Sequence, residues 1–232
     1  MNLQHLTIFL FFGVLAGCGH KTSHQTIIAF GSCSHEFDSV QMWDQVLEMK
    51  PSAWIWLGDN IYGDTFDMEV MKAKYDRQKN RTSYQKLLKS MPVYGTWDDH
   101  DYGINDGGSS YAMKDESKEL MLDFLDVPAN AQVRKRPGVY QSYILEDQGL
   151  QVKLILLDTR YFRDSLVRNP DAPPLYFPNE EGTILGEDQW QWLENELSDS
   201  NADVHLIASS IQLIPNGHGY EKWGNFPAER EH

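Results

Sequence analysis

Two short apolar runs each break without transition into an acidic, glycine-containing loop, and this pattern limits the chain to a small set of folds. Trp54-Ile55-Trp56-Leu57 leads into Gly58-Asp59-Asn60-Ile61-Tyr62-Gly63-Asp64. Val93-Tyr94-Gly95-Thr96-Trp97 leads into Asp98-Asp99-His100-Asp101-Tyr102-Gly103-Ile104-Asn105-Asp106-Gly107-Gly108. Short continuous apolar runs closed by turn signals read as strands buried on both faces. Carboxylates, an amide, a phenol and an imidazole at the carboxyl ends of such strands are hard oxygen and nitrogen donors for metal ions. They also lie where open α/β sheets bind ligands.

Other strand and helix signals alternate around these two loops. Thr26 to Phe30 is β-rich and runs into Gly31-Ser32-Cys33-Ser34. Val40 to Met49 has helical spacing at Met42, Trp43, Val46 and Leu47 and is closed by Pro51. Phe66 to Ser90 reads as one or two helices with a break near Asn80-Arg81-Thr82, and Ala112 to Leu125 as another, stopped by Pro128. Val139 to Leu145 and Val152 to Leu157 read as a hairpin around Asp147-Gln148-Gly149. Residues 164–184 read as a long surface loop. Gly186 to Leu197 reads as an amphipathic helix with Trp190, Leu193 and Leu197 on one face, and Val204 to Ser209 as a further strand that holds His205 in the core or just behind the site. The expectation is a single layered α/β domain over 26–232, its sheets covered by helices.

Composition narrows the function. Hydrophobic residues make up 41% with seven Trp and eleven Tyr, which argues against disorder. A net charge of −14 argues against a nucleic-acid-binding surface, which needs a basic face to displace counterions. An acidic protein acting on an anionic substrate needs local positive charge, and metal ions supply it compactly. The two loops therefore read as walls of a metal-dependent phosphate-ester site.

The amino terminus reads as a targeting segment. Leu6 to Leu15 is almost wholly apolar, too short to span a bilayer, and ends at Leu15-Ala16-Gly17-Cys18. This resembles a bacterial lipobox, although residues 1–5 contain no Lys or Arg. Residues 1–17 are expected to be a lipoprotein signal peptide, Cys18 the lipidated residue, and 18–25 a short tether. The mature protein would then be exported and anchored to a membrane in the cell envelope. With Cys18 lipidated, Cys33 has no intramolecular disulfide partner and is either a buried filler or a ligand.

Gly31-Ser32-Cys33-Ser34, Leu57-Gly58-Asp59-Asn60-Ile61-Tyr62, Trp97-Asp98-Asp99-His100-Asp101 and Leu157-Asp158-Thr159-Arg160, in that order, resemble the PhoD-like alkaline phosphatases, a branch of the calcineurin-like metallophosphoesterases. The resemblance covers essentially the whole chain from Thr26. It implies a layered metallophosphoesterase fold and hydrolysis of phosphate mono- or diesters with Fe³⁺ and Ca²⁺, other divalent metals being alternatives. It implies that Asp59 bridges metal ions, that Tyr62 and Cys33 ligate the ferric ion, and that Asn105 is a neutral ligand suited to a hard ion. His100 and Asp99 stand as the catalytic pair. For His100 and Asp98 a scaffolding role in the loop between Trp97 and Tyr102 is the alternative. Arg160 either meets the substrate phosphate or locks Asp158 or Asp164 in a structural ion pair. His218 is a candidate for the rim of the site. Gly107-Gly108-Ser109-Ser110 lacks the lysine of a nucleotide-binding P-loop.

One departure stands out. The family's late Gly-Asp-x-His segment does not occur between Val204 and His232. The expectation is a domain incomplete at its carboxyl end, with the last strand or strands missing and a sheet edge unpaired. A non-catalytic envelope lipoprotein that keeps the fold is the competing reading.

Overall fold

The computed structural model describes residues 25–39, 42–171 and 175–232, so the lipobox and Cys18 lie outside the described residues. Three parallel strands, β1 (Ile28–Gly31), β2 (Ala53–Leu57) and β3 (Val93–Thr96), form one sheet with β2 in the centre. Their crossovers carry α1 (Trp43–Glu48), then α2 (Met68–Lys79) and α3 (Thr82–Ser90). After β3 come a short helix, α4 (Asp99–Tyr102), and then α5 (Lys114–Phe124). A second sheet pairs β4 (Gln141–Asp147) antiparallel to β5 (Leu150–Leu156), and β5 parallel to β8 (Val204–Ala208). Between β5 and β8 lie a small hairpin, β6 (Val167–Arg168) with β7 (Tyr176–Phe177), and α6 (Gly186–Ser198). The chain ends in α7 (Pro227–Glu231).

Side-chain alternation along the strands explains the layering. In β2, Trp54 and Trp56 point to the helical side, into a core with Trp43, Met71, Tyr75, Tyr84, Leu87, Met121 and Phe124. Ile55 and Leu57 point the other way, into a core shared with Leu154, Leu156 and Ala208 of the second sheet. In β5 the alternate residue Ile155 packs with Leu157, Leu193 and Trp190 against α6. Residues of one strand that serve two cores must be apolar at every position, which is why these strands read as unbroken runs. The result is four layers: helices, sheet, sheet, helix.

The sheets are also tied by polar contacts at the carboxyl ends of β3 and β5. Thr96 Oγ1 donates to the Leu157 carbonyl at 2.7 Å, and Trp97 Nε1 donates to Asp158 Oδ1 at 2.8 Å. Asp158 is fully buried and also accepts from the backbone N–H groups of Val139, Arg160 and Tyr161, each at 2.9 Å. Burial pushes its carboxyl above the usual range despite those donors.

Several sequence expectations need correction. Residues 164–184 are not purely loop, because β6 and β7 pair within them. The segment after Trp97 is not purely loop either, since it contains α4. His205 is exposed, not core: Leu206 and Ala208 face the other sheet, while His205 points to the opposite face, which α6 leaves open over β8. Leu197 is exposed at the end of α6, whereas Leu193 is buried. β8 is an edge strand among the described residues, with Val204 and Ile207 on the surface.

Candidate metal centre

Three loops meet at the carboxyl ends of β1, β2 and β3, and backbone bonds fix how they meet. The N–H groups of Cys33 and Ser34 donate to the carbonyls of Gly58 and Asp59 at 3.2 and 2.9 Å. The Asp101 carboxylate accepts from the N–H groups of Asp59, Asn60 and Asp98 at 3.1, 3.0 and 2.7 Å, so one buried side chain holds both acidic loops. Asp101 reaches that position because it is the third residue of α4, closing a capping box with Asp98. Gly58 lies where the loops cross, at φ +101°, and a Cβ there would lie 2.4 Å from Asp98 Cβ. Cys33, Asp59 and Asp106 all adopt positive φ, a concentration of strained backbone around one site.

These constraints bring Asp59, Asp99 and His100 together, with a donor atom from each lying within 4.8 Å of the others. Cys33 Sγ is 3.6 Å from Asp59 Oδ2, and the Tyr62 ring lies 4.5 Å from the His100 ring between centroids. Cys33 is exposed, so the buried-filler alternative does not describe it. His100 Nδ1 contacts the Asp64 carboxylate at 2.8 and 2.9 Å, a partner that orients the imidazole.

The electrostatics show a centre short of positive charge. Burial and the neighbouring Asp99 charge push the Asp59 carboxyl up to about 6. Burial and the Asp59 charge likewise raise the Tyr62 phenol and the Cys33 thiol above their usual ranges. Burial pulls His100 down, but Asp64, Asp99 and Asp59 outweigh it and raise its pKa above the usual imidazole value. Burial also acts against the charged form of Asp99, yet Arg160, the Asp106 N–H and His100 hold its carboxyl below the usual range. Two carboxylates and an imidazole within 4.8 Å of one another, with the Cys33 thiol beside Asp59 and the Tyr62 ring beside His100, suit a cation, which would reverse the upward shifts of the acidic groups.

A second group, Asp99, Asp106 and Glu221, shares Asp99 with the first. It is already neutralised in part. Glu221 pairs with Arg160 at 2.6 Å and with Arg163 at 2.9 Å. Asp106 accepts from the Tyr176 hydroxyl and from Asn105 Nδ2. Asn105 itself is exposed at the edge of this group, with its amide nitrogen 2.7 Å from Asp106.

Arg160 is fully buried and bonds to Asp98 through Nε at 2.7 Å and to Glu221 through Nη1. Its ion-pair partners are therefore Asp98 and Glu221, not Asp158 or Asp164. The pairing leaves Asp98 anchored to the guanidinium and to the Ser210 hydroxyl at 2.9 Å. His218 lies half-buried on the loop before Glu221, where its carbonyl accepts from Lys222 Nζ. Asp64, Asp101, Asp106 and Glu221 are site residues that the sequence reading did not single out. Asp98-x-x-Asp101 carries a capping-box signature that points to Asp101; nothing local points to Glu221.

A two-sheet α/β protein with an acidic, metal-suited centre at its parallel strand ends is the class these features define. Within that class the chain belongs to the PhoD-like phosphatase family, whose model matches residues 28–231. It is 23% identical over 226 aligned positions to alkaline phosphatase D of Bacillus subtilis, covering 81% of this chain and 36% of that protein. It is also similar to a solved structure titled "Structure of PhoD", with a TM-score of 0.68 and 20% identity over 88% of this chain and 46% of the other. The chain thus spans less than half the length of either relative.

Proposed function

We propose that this protein hydrolyses phosphate mono- or diesters with the help of metal ions held between the Cys33, Asp59 and Asp99 loops. The observation that carries the reading is the convergence of Asp59, Asp99 and His100 within 4.8 Å at the strand ends of a PhoD-like domain. Asp59, Asp99, Cys33 and Tyr62 would hold the ions, with Asn105 at the outer edge. Fe³⁺ suits the thiol and phenol donors, and Ca²⁺ or another divalent ion suits the carboxylates and amide. Such ions, when bound, neutralise phosphate oxygens and raise the acidity of water. His100, oriented by Asp64 and with its pKa raised by the neighbouring carboxylates, would donate a proton to the departing alkoxide. Arg160 acts here by fixing Asp98 and Glu221, and contact with substrate phosphate would require it to leave both.

The test is Asp59→Asn, analysed for metal by elemental analysis and for hydrolysis of simple phosphate esters. Loss of bound metal together with activity is expected; full metal content in this variant would refute the bridging role. If Cys33 and Tyr62 share a ferric ion, the iron-loaded protein is coloured by charge transfer. A colourless iron-containing sample sinks that pairing.

Export and lipid anchoring rest on Leu6 to Cys18 alone. No helix among the described residues is long and apolar enough to cross a membrane. Cys18→Ser is expected to release the protein from the membrane fraction, and unchanged retention would remove the anchor from the proposal.

A further inference from the structure

A cavity of about 310 Å³ opens beside the acidic centre and shares a wall with it. Asp106 lines this cavity and also belongs to the group formed with Asp99 and Glu221; Arg163 lines it and pairs with that same Glu221. The far wall is different in kind. Phe66 and Tyr111 meet there at a tilt of 42° with ring centroids 5.1 Å apart, and Phe66 is largely exposed. The third wall is the β6–β7 hairpin, where Arg168 stands directly opposite Tyr176 in the antiparallel register. Directly opposed residues share one face, so the Arg168 guanidinium stands next to the phenol that donates to Asp106. Arg168 is exposed and makes no ion pair among the described residues. In a chain of net charge −14, Arg168 gives this cavity a positive group alongside Arg163.

We propose that this cavity is the subsite for the alcohol part of the ester, selecting a ring-bearing alcohol that carries a second negative charge. The inference rests on the phosphoesterase reading and adds the substrate class. Asp106 belongs both to the acidic centre and to the cavity wall, so an ester whose phosphoryl group is held at the centre can place its substituent in the cavity. Phe66 and Tyr111 offer a flat apolar face to a ring, and Arg168 offers a planar fork to a carboxylate or second phosphate. The volume is near the lower limit of the ~300–1,000 Å³ typical of small-molecule pockets, which suits one ring and not a chain of them.

The test uses the full, metal-loaded chain and three ligands that cannot be hydrolysed, methylphosphonate, benzylphosphonate and 4-carboxybenzylphosphonate, followed by titration calorimetry. Benzylphosphonate is expected to bind about three- to tenfold more tightly than methylphosphonate. The carboxylate should add up to about fivefold more. Phe66→Ala removes the first gain, with Phe66→Leu intermediate, and Arg168→Ala removes the second while leaving the first. Both side chains are exposed, so the fold does not depend on them. Equal affinity for the three ligands, or both gains retained in both variants, overturns the subsite alone. Failure of even methylphosphonate to bind overturns the phosphoesterase reading and the subsite with it.

Discussion

Gly58→Ala is the substitution that most directly probes how the two acidic loops are held together. Gly58 has φ +101°, and a Cβ there would lie 2.4 Å from Asp98 Cβ and 2.6 Å from Asp98 N. Gly149, in the turn between β4 and β5, has φ +87° with nothing within 4 Å of an added Cβ. The two positions share the conformational cost of an L-residue in left-handed backbone, about 1–2 kcal/mol, but only Gly58 adds a collision. The atoms struck are backbone and Cβ, which cannot rotate away, so overpacking adds about 1–3 kcal/mol. Gly149→Ala is therefore expected to destabilise by about 1–2 kcal/mol and Gly58→Ala by about 2–5 kcal/mol. Urea unfolding of both variants measures the difference, with an unchanged m value as the check on two-state behaviour. Gly58→Ala should also lower metal content, because relief comes by moving the Asp59 loop away from Asp98; Gly149→Ala should not. Two variants equal within about 0.5 kcal/mol, the usual scatter of independent sites, would refute the claim that close approach sets the geometry.

Two further outcomes follow from named contacts. Asp158→Asn keeps an oxygen for the Trp97, Arg160 and Tyr161 donors but turns an NH₂ toward the Val139 N–H, so a loss of about 1–3 kcal/mol is expected. Asp158→Ala strands all four donors and should cost more than about 4 kcal/mol; equal urea midpoints for the two variants would contradict the assignment. Glu196 is the pH probe: burial raises its carboxyl, but Lys153 at 2.7 Å and Ser142 at 2.8 Å outweigh that and hold it below 4.5. A carboxyl lowered on folding adds stability that is full above its unfolded value and disappears as pH falls through its folded value. The stability gap between wild type and Glu196→Gln should thus be widest near neutral pH and close in acid below that range; a gap independent of pH would disprove the pairing.

The parts of the fold that sequence disclosed were those where one physical requirement spanned several residues. The run from Trp54 to Leu57 was legible as a strand because its side chains enter two cores on alternate sides. The break between α2 and α3 was legible because Asn80 and Arg81 interrupt the helical pattern. β6 and β7 were not, since two-residue strands carry no period to detect. His205 was misplaced because alternation gives the face of a residue but not whether a helix covers that face. In the site, Asp59, Tyr62, Asp99 and His100 follow apolar runs that mark them by position, whereas the ligand role of Cys33 came from the family resemblance and not from its surroundings in the sequence. Glu221 reaches Arg160 from a loop 61 residues further along, a pairing set by tertiary contact alone.

The Asp101 carboxylate separates framework from function in this centre. It grips the loops by their amide hydrogens, which every residue except proline possesses, and it takes no account of the side chains at 59, 60 and 98. Donor identity at 59 can therefore drift without loss of these backbone anchors, whereas Asp98 is tied through its own side chain to Arg160 and Ser210 and cannot. The same arrangement makes residue 101 a position where drift is not tolerated, because one change there releases two walls at once. Descendants of such a chain could exchange the ions they prefer, or lose them, and still present the same scaffold.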